Sequence, residues 1–122
     1  IFTGTEKQVV LVYPIPEVGW DLPRYNFVNY LANGKVSPDV STLYTAFYAR
    51  NHFPIQTLDG IDAKNISRVM PEKIFCNSHL PQRCIAQKDY VPYYHDTNHL
   101  SLEGSKLVAR EIHKSLKFTI EK

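Results

Sequence analysis

The chain has 122 residues, 43% hydrophobic and 21% charged, proportions of one folded domain able to bury roughly two-thirds of its unfolded surface, which excludes a disordered segment. Its 14 Lys and Arg against 12 Asp and Glu leave a formal charge of +2 with no basic block. That excludes nucleic acid as the main partner, because phosphate binding needs concentrated positive charge, and no run is long and apolar enough to cross a bilayer as a helix. The chain opens at Ile1 with neither an initiator Met nor a signal-peptide layout, so it is expected to be a piece of a longer polypeptide.

In chain order, the run around Val9 to Tyr13 is short, continuous and apolar, the pattern of a strand buried on both faces as in a parallel sheet. The stretch from Pro14 to Pro23 holds three prolines and a glycine and must be a loop at that strand's C-terminal end. In open α/β sheets this edge binds ligands. Glu17, Trp20 and Asp21 are therefore pocket candidates, set against a Trp merely packed over a loop. Arg24 to Leu31 reads as a short helix ended by Asn33-Gly34. Ser37-Pro38-Asp39 reads as the start of a second helix running to about Arg50, with Ser37 as N-cap and Val40, Leu43, Ala46 and Phe47 as its stripe. Pro54 is expected to interrupt any helix, leaving 51–66 irregular with a short helix near 61–68. Val69 and Met70 are placed at the start of a short strand, and Asp89 to Tyr94 as an extended segment. A final helix covers about Leu102 to Lys117. Its predicted inner face is Val108, Ala109, Ile112 and Leu116, with Lys106, Arg110, Glu111, Lys114 and Lys117 facing water.

The chemistry concentrates in Asp96-Thr97-Asn98-His99-Leu100-Ser101. A carboxylate three residues before an imidazole in a tight loop can accept from the ring's Nδ1–H. That fixes the tautomer and leaves Nε2 free as a general base. The plain alternative is a loop Asp and His supporting a helix cap. His95 and His99 are four residues apart but lack the Glu and the helix of a metalloprotease motif. His52 and His113 read as ordinary surface residues.

D-x-x-H-L-S-x-x-G ahead of a C-terminal helix resembles the last motif of the SGNH (GDSL-type) hydrolases, in which one loop supplies both the Asp and the His of a Ser-His-Asp triad. VVLVYPIPEVGWDLP and the later F-C-x7-C, Tyr93-Tyr94, D-x-x-H-L-S series are similar to the SGNH domains fused behind integral-membrane acyltransferases that O-acylate bacterial surface polysaccharides. The resemblance implies a partial three-layer, flavodoxin-like α/β domain, a parallel sheet flanked by helices, with residues 1–122 its C-terminal portion and the N-terminal part missing. It implies Asp96 and His99 as triad members, no cofactor and no metal. The partners implied are an upstream integral-membrane acyltransferase domain of the same polypeptide and a glycan acceptor, in the extracytoplasmic (periplasmic) part of a bacterial inner-membrane protein. The chain departs from the family in having no Gly-Asp-Ser and no Gly-x-Asn-Asp, and Ser101 and Ser105 read as helix-cap residues. The isolated chain is therefore expected to be inactive. A secreted esterase of the same fold and a glycan-binding module using Trp20 and the tyrosines are the rival readings.

Cys76 and Cys84 fit a disulfide, free thiols, or a zinc site with His79, although C-x2-H-x4-C lacks the paired knuckles of common zinc modules. A bridge suits an oxidising, extracytoplasmic compartment and is the expectation carried forward.

Overall fold

The computed structural model describes residues 7–120, with side chains through Leu116. The elements in order are β1 (Val9–Val12), α1 (Leu22–Asn33), β2 (Val40–Leu43), α2 (Tyr44–Asp59), β3 (Ile66–Val69), α3 (Glu72–Phe75), β4 (Arg83–Lys88), β5 (Val91–Pro92) and α4 (Leu102–Ile120). They form a mixed α/β fold. β1 and β3 pair in parallel, Val9 opposite Ile66 through Val12 opposite Val69, while β4 lies antiparallel between β2 and β5. α4 packs on β1 and β3 at one end and reaches β5 at the other, so it ties the two sheets together. The parallel pair carrying a helix agrees with part of a flavodoxin-like domain; the antiparallel unit was not anticipated.

β1 forms where the apolar run predicts it, but it is not buried on both faces. Val9 to Leu11 are half-buried and Val12 is 42% exposed, because among the described residues only β3 pairs with this strand. The register continues one step, Tyr13 N–H donating to the Val69 carbonyl at 2.9 Å. Tyr13 is buried; its hydroxyl donates to Asp59 Oδ1 at 2.6 Å and accepts from Arg68 Nη1 at 2.7 Å, tying β1 and β3 to the end of α2.

α1 starts two residues earlier than expected. Asp21 is its N-cap, accepting from Arg24 N–H at 2.9 Å, and Gly34 ends it at φ 74°, a conformation that suits glycine.

The Ser37-Pro38-Asp39 signal does not start a helix. Asp39 Oδ1 accepts from Asp89 N–H at 2.9 Å, and the Pro38 carbonyl from Tyr90 N–H at 2.8 Å, so this stretch braces the β4–β5 turn. At that turn Asp89 and Tyr90 stand at φ 49° and 69°. Val40 to Leu43 then run as β2 against β4, with Val40 buried beside Leu22, Ala86 and Tyr94. Strand pairing overrode a local cap signal, helped by β-branched Val40 and Thr42.

α2 begins at Tyr44 and runs through Pro54 to Asp59, correcting the expected interruption. Arg50 and Pro54 are both exposed, so the carbonyl that loses its amide partner lies on the solvated side of the helix. The segment read as a short helix near 61–68 is a turn leading into β3, whose last residue is Val69. Of the segment expected to be extended at 89–94, only Val91 and Pro92 form a strand.

α4 also turns differently about its axis. Val108 is buried and Leu107 and Ile112 are half-buried, whereas Ala109 and Leu116 are exposed; the side chain of Lys117 lies outside the described residues. Leu107 takes the inner place because it faces the cluster of Phe47, Phe75, Cys76, Cys84, Ile85 and Val108.

Cys76 and Cys84 are joined in a disulfide within that cluster, across an isolated antiparallel bridge between the same two residues. Bonded to each other, the sulfurs are no longer thiolate ligands for zinc. Replacing both with Ala, which buries no new hydroxyl, should lower unfolding stability by about 2.5 kcal/mol in the chain-entropy view of a loop this short. Urea unfolding monitored by circular dichroism reads the loss; an unchanged midpoint and slope would show that the bridge adds nothing to the fold.

Candidate active site

The loop between β5 and α4 folds around one carboxylate. Asp96 Oδ1 accepts from the backbone N–H of Asn98 at 2.9 Å and of His99 at 2.7 Å. Oδ2 lies 2.7 Å from His99 Nδ1. The two backbone donors, then the imidazole, hold the Asp96 carboxyl well below the usual carboxylate range. An ionised Asp96 makes Nδ1 the protonated nitrogen, so Nε2 carries the lone pair. The His99 side chain is 69% exposed, and among the described residues nothing bonds its Nε2.

The ends of the loop are fixed. His95 N–H donates to the His99 carbonyl at 3.0 Å, and Tyr94 and Leu100 form an antiparallel bridge. Ser101 caps α4 as expected: Oγ accepts from Gly104 N–H at 3.2 Å and donates to the Pro92 carbonyl at 2.7 Å, while Ser101 N–H reaches the Tyr93 carbonyl at 2.8 Å. Gly104 is required by space. A Cβ there would stand 2.2 Å from the Tyr93 carbonyl oxygen.

The loop after β1 lies against this one. Tyr94, fully buried, donates its hydroxyl to the Pro16 carbonyl, and Gly19 N–H donates to the Thr97 carbonyl at 3.0 Å. Burial, with the nearby charge of Glu17 adding to it, pushes the Tyr94 phenol far up, so it remains a donor. Glu17 and Trp20 thus sit on a loop bonded to the Asp96–His99 loop, both at least partly open to solvent. The Trp20 ring lies 4.9 Å from that of Tyr25 at 43°, giving an aromatic pair on α1's first turn.

His95 is exposed and stacks on His99 with centroids 5.6 Å apart. His95, Asp96 and His99 offer ligand atoms within 4.8 Å of one another, the one described cluster that could hold a cation. A cation there would have to compete with the Nδ1–H and two backbone N–H groups for the same carboxylate. The arrangement suits proton transfer at Nε2. His52, by contrast, turns to its own helix, with Nδ1 3.2 Å from the Ala49 carbonyl.

What sequence reading missed is Arg50. Its guanidinium lies over Gly19, so that a Cβ on Gly19 would meet Nη2 at 2.6 Å. No local spacing joins residues 19 and 50; only Gly19 itself, needing φ +87°, hinted at a special position.

The family model described as "SGNH domain (fused to AT3 domains)" matches residues 1–114. No curated protein and no solved structure matches the chain.

Two measurements check this geometry. Gly104→Ala should destabilise the fold by about 1–3 kcal/mol, because the helix or the Tyr93 carbonyl must move; thermal unfolding reads it, and an unchanged midpoint would mean the contact is loose. The Asp96 carboxyl should titrate well below ~3.9 by carbon-detected NMR. Since its folded pKa is depressed, its contribution to stability is complete above that ordinary value and is lost as pH falls through the folded one. An ordinary titration would contradict the loop's hydrogen bonds.

Proposed function

This chain belongs to the family of SGNH domains fused to AT3 (acyltransferase 3) domains, and on that premise we propose that it carries the general base of an O-acyltransferase acting on an extracytoplasmic glycan. The observation that carries the reading is the 2.7 Å contact between His99 Nδ1 and Asp96 Oδ2, with Nε2 facing open space. In this reading residues 1–122 form the C-terminal portion of the SGNH domain. The nucleophilic serine and the oxyanion donors come from an upstream part of the same polypeptide, beside an AT3 domain in the membrane.

His99 Nε2 takes the serine hydroxyl proton as the serine oxygen attacks the acyl carbonyl. Collapse of the tetrahedral intermediate forms a serine ester and returns that proton to the leaving group. A sugar hydroxyl then gives its proton to Nε2 and attacks the ester, and the serine oxygen leaves with the proton. Asp96 stays ionised, holding the ring's orientation and stabilising the imidazolium that forms twice in the cycle. If water takes the sugar's place, the same steps hydrolyse an ester. Trp20, with Tyr25 behind it, offers an aromatic face for a sugar ring, and Glu17 an acceptor for its hydroxyls.

One further feature supports an extracytoplasmic location. The disulfide fits an oxidising compartment. No described helix is long and apolar enough to cross a membrane.

In the full polypeptide, His99→Ala should lower turnover about 10³-fold or more, and Asp96→Asn by a similar factor through loss of the correct tautomer. Trp20→Ala should instead raise the KM for the acceptor about two- to tenfold with a smaller change in kcat. Steady-state acetyl transfer to oligosaccharides measures all three. A His99→Ala protein as active as the wild type would sink the catalytic reading and leave the aromatic face as a glycan-binding surface.

A further inference from the structure

We propose that Arg50 is the specificity-determining group of the acceptor site, and that it receives an oxyanion, carboxylate or phosphate, carried by the glycan near the hydroxyl to be acylated. The inference rests on the acyl-transfer reading for the location of the acceptor and adds its chemical class.

Arg50 projects from the middle of α2 onto the loop after β1. Against Gly19, whose φ of +87° is a glycine conformation, a Cβ would lie 2.6 Å from Nη2, 3.0 Å from Nη1 and 3.2 Å from Cζ of Arg50. The space a side chain would occupy is filled by the guanidinium. The other face of Gly19 is bonded to the catalytic loop, its N–H donating to the Thr97 carbonyl at 3.0 Å, one residue from Asp96. The cation is therefore one backbone residue removed from the loop that carries the base.

Among the described residues this guanidinium makes neither an ion pair nor a hydrogen bond. The two carboxylates on the same loop do not neutralise it: Asp21 is occupied as the α1 N-cap, and Glu17 lies outside ion-pair reach. Arg68 and Arg83 show how this fold treats its other structural arginines. Arg68 donates to the Tyr13 hydroxyl and to two carbonyls, and Arg83 to Ser41 through Nε and Nη2. Arg50 keeps all five donors available, in the planar fork that matches a carboxylate or phosphate. Trp20 follows Gly19 directly, so the loop that Arg50 overlies also carries an aromatic side chain, a combination suited to an acidic sugar rather than a neutral one.

The test uses the full polypeptide and reads binding as well as transfer. Dissociation constants are measured by calorimetry for three probes: a hexuronate oligosaccharide, a phosphate-bearing oligosaccharide and a neutral oligosaccharide of the same length. Arg50→Gln and Arg50→Ala should weaken whichever anionic probe is the match by about tenfold or more relative to the neutral one, the size of a lost charge-assisted contact. Arg50→Lys should recover part of that preference. Gly19→Ala should reduce the same preference, because its Cβ displaces the guanidinium. The two anionic arms separate carboxylate from phosphate recognition. If wild type shows no preference for either anion, or if the Arg50 variants weaken all three probes alike, the proposal is overturned and Arg50 serves only to brace the loop. The same set is measured on a His99→Ala background, where binding persists without transfer. Retained transfer in His99→Ala would refute the catalytic reading, whereas an Arg50-independent preference would refute this one.

Discussion

One carboxylate folds the loop between β5 and α4 and orients its imidazole. Asp96 receives two backbone N–H groups through one oxygen and the imidazole through the other. Backbone donors alone would produce an ordinary Asx-type turn of the kind Asp and Asn make throughout proteins. What distinguishes this turn is that its second oxygen aims at a ring three residues on. The charge that closes the turn is also the charge that selects the histidine tautomer. No separate scaffold is needed to bring carboxylate and imidazole together, and the separation of the two groups is set by covalent geometry within the loop.

Local closure fixes internal geometry but not position, and position comes from the residues on either side. Tyr94 is buried with its hydroxyl on Pro16, and its neighbour Tyr93 gives its carbonyl to Ser101 and leaves no room for a side chain on Gly104. Both tyrosine rings lean on Phe75, at 5.8 and 6.1 Å, and Phe75 is fully buried in the cluster that holds the disulfide. The Asp96–His99 loop is thus carried by a tightly packed, buried cluster while its imidazole faces outward. A closely packed interior transmits displacement rather than absorbing it. A shift at Cys76–Cys84 or at Gly104 therefore reaches Asp96 through two or three rigid contacts.

The parts of this arrangement that were legible in the sequence are the ones made by short-range interactions. Asp96 and His99 interact at a separation of three residues, Ser101 caps its own helix, and the β1 run is apolar without interruption. The errors came where partners are distant. Ser37-Pro38-Asp39 has the composition of a helix start, yet Asp39 accepts from Asp89, fifty residues away, and Val40 pairs opposite Gln87. Local sterics disfavour Pro54 in a helix interior, but the exposed side of α2 tolerates a carbonyl without its amide partner. The inner face of α4 was displaced because periodicity does not say which neighbour a helix meets; Leu107 meets the Phe75 cluster and Ala109 does not. Arg50 was invisible for the same reason, since its place over Gly19 is purely tertiary.

The exposure of His99 bears on what the site can accomplish. In water a hydrogen bond to a carboxylate is strongly screened, and it strengthens when solvent is displaced. With His99 69% exposed, the Asp96–His99 pair sets geometry more than energy until something covers it. In the acyl-transfer reading that cover is the serine-bearing segment on one side and the acceptor on the other. The acceptor then has two roles, because the group that excludes water from the acyl-enzyme is also the nucleophile that resolves it. An acceptor held by the aromatic pair and by a cation beside the loop competes with water by occupancy rather than by intrinsic reactivity. On that reading, partition between transfer and hydrolysis is decided on the loop after β1, around Glu17, Gly19 and Trp20, and not at the Asp–His pair, which serves both outcomes equally.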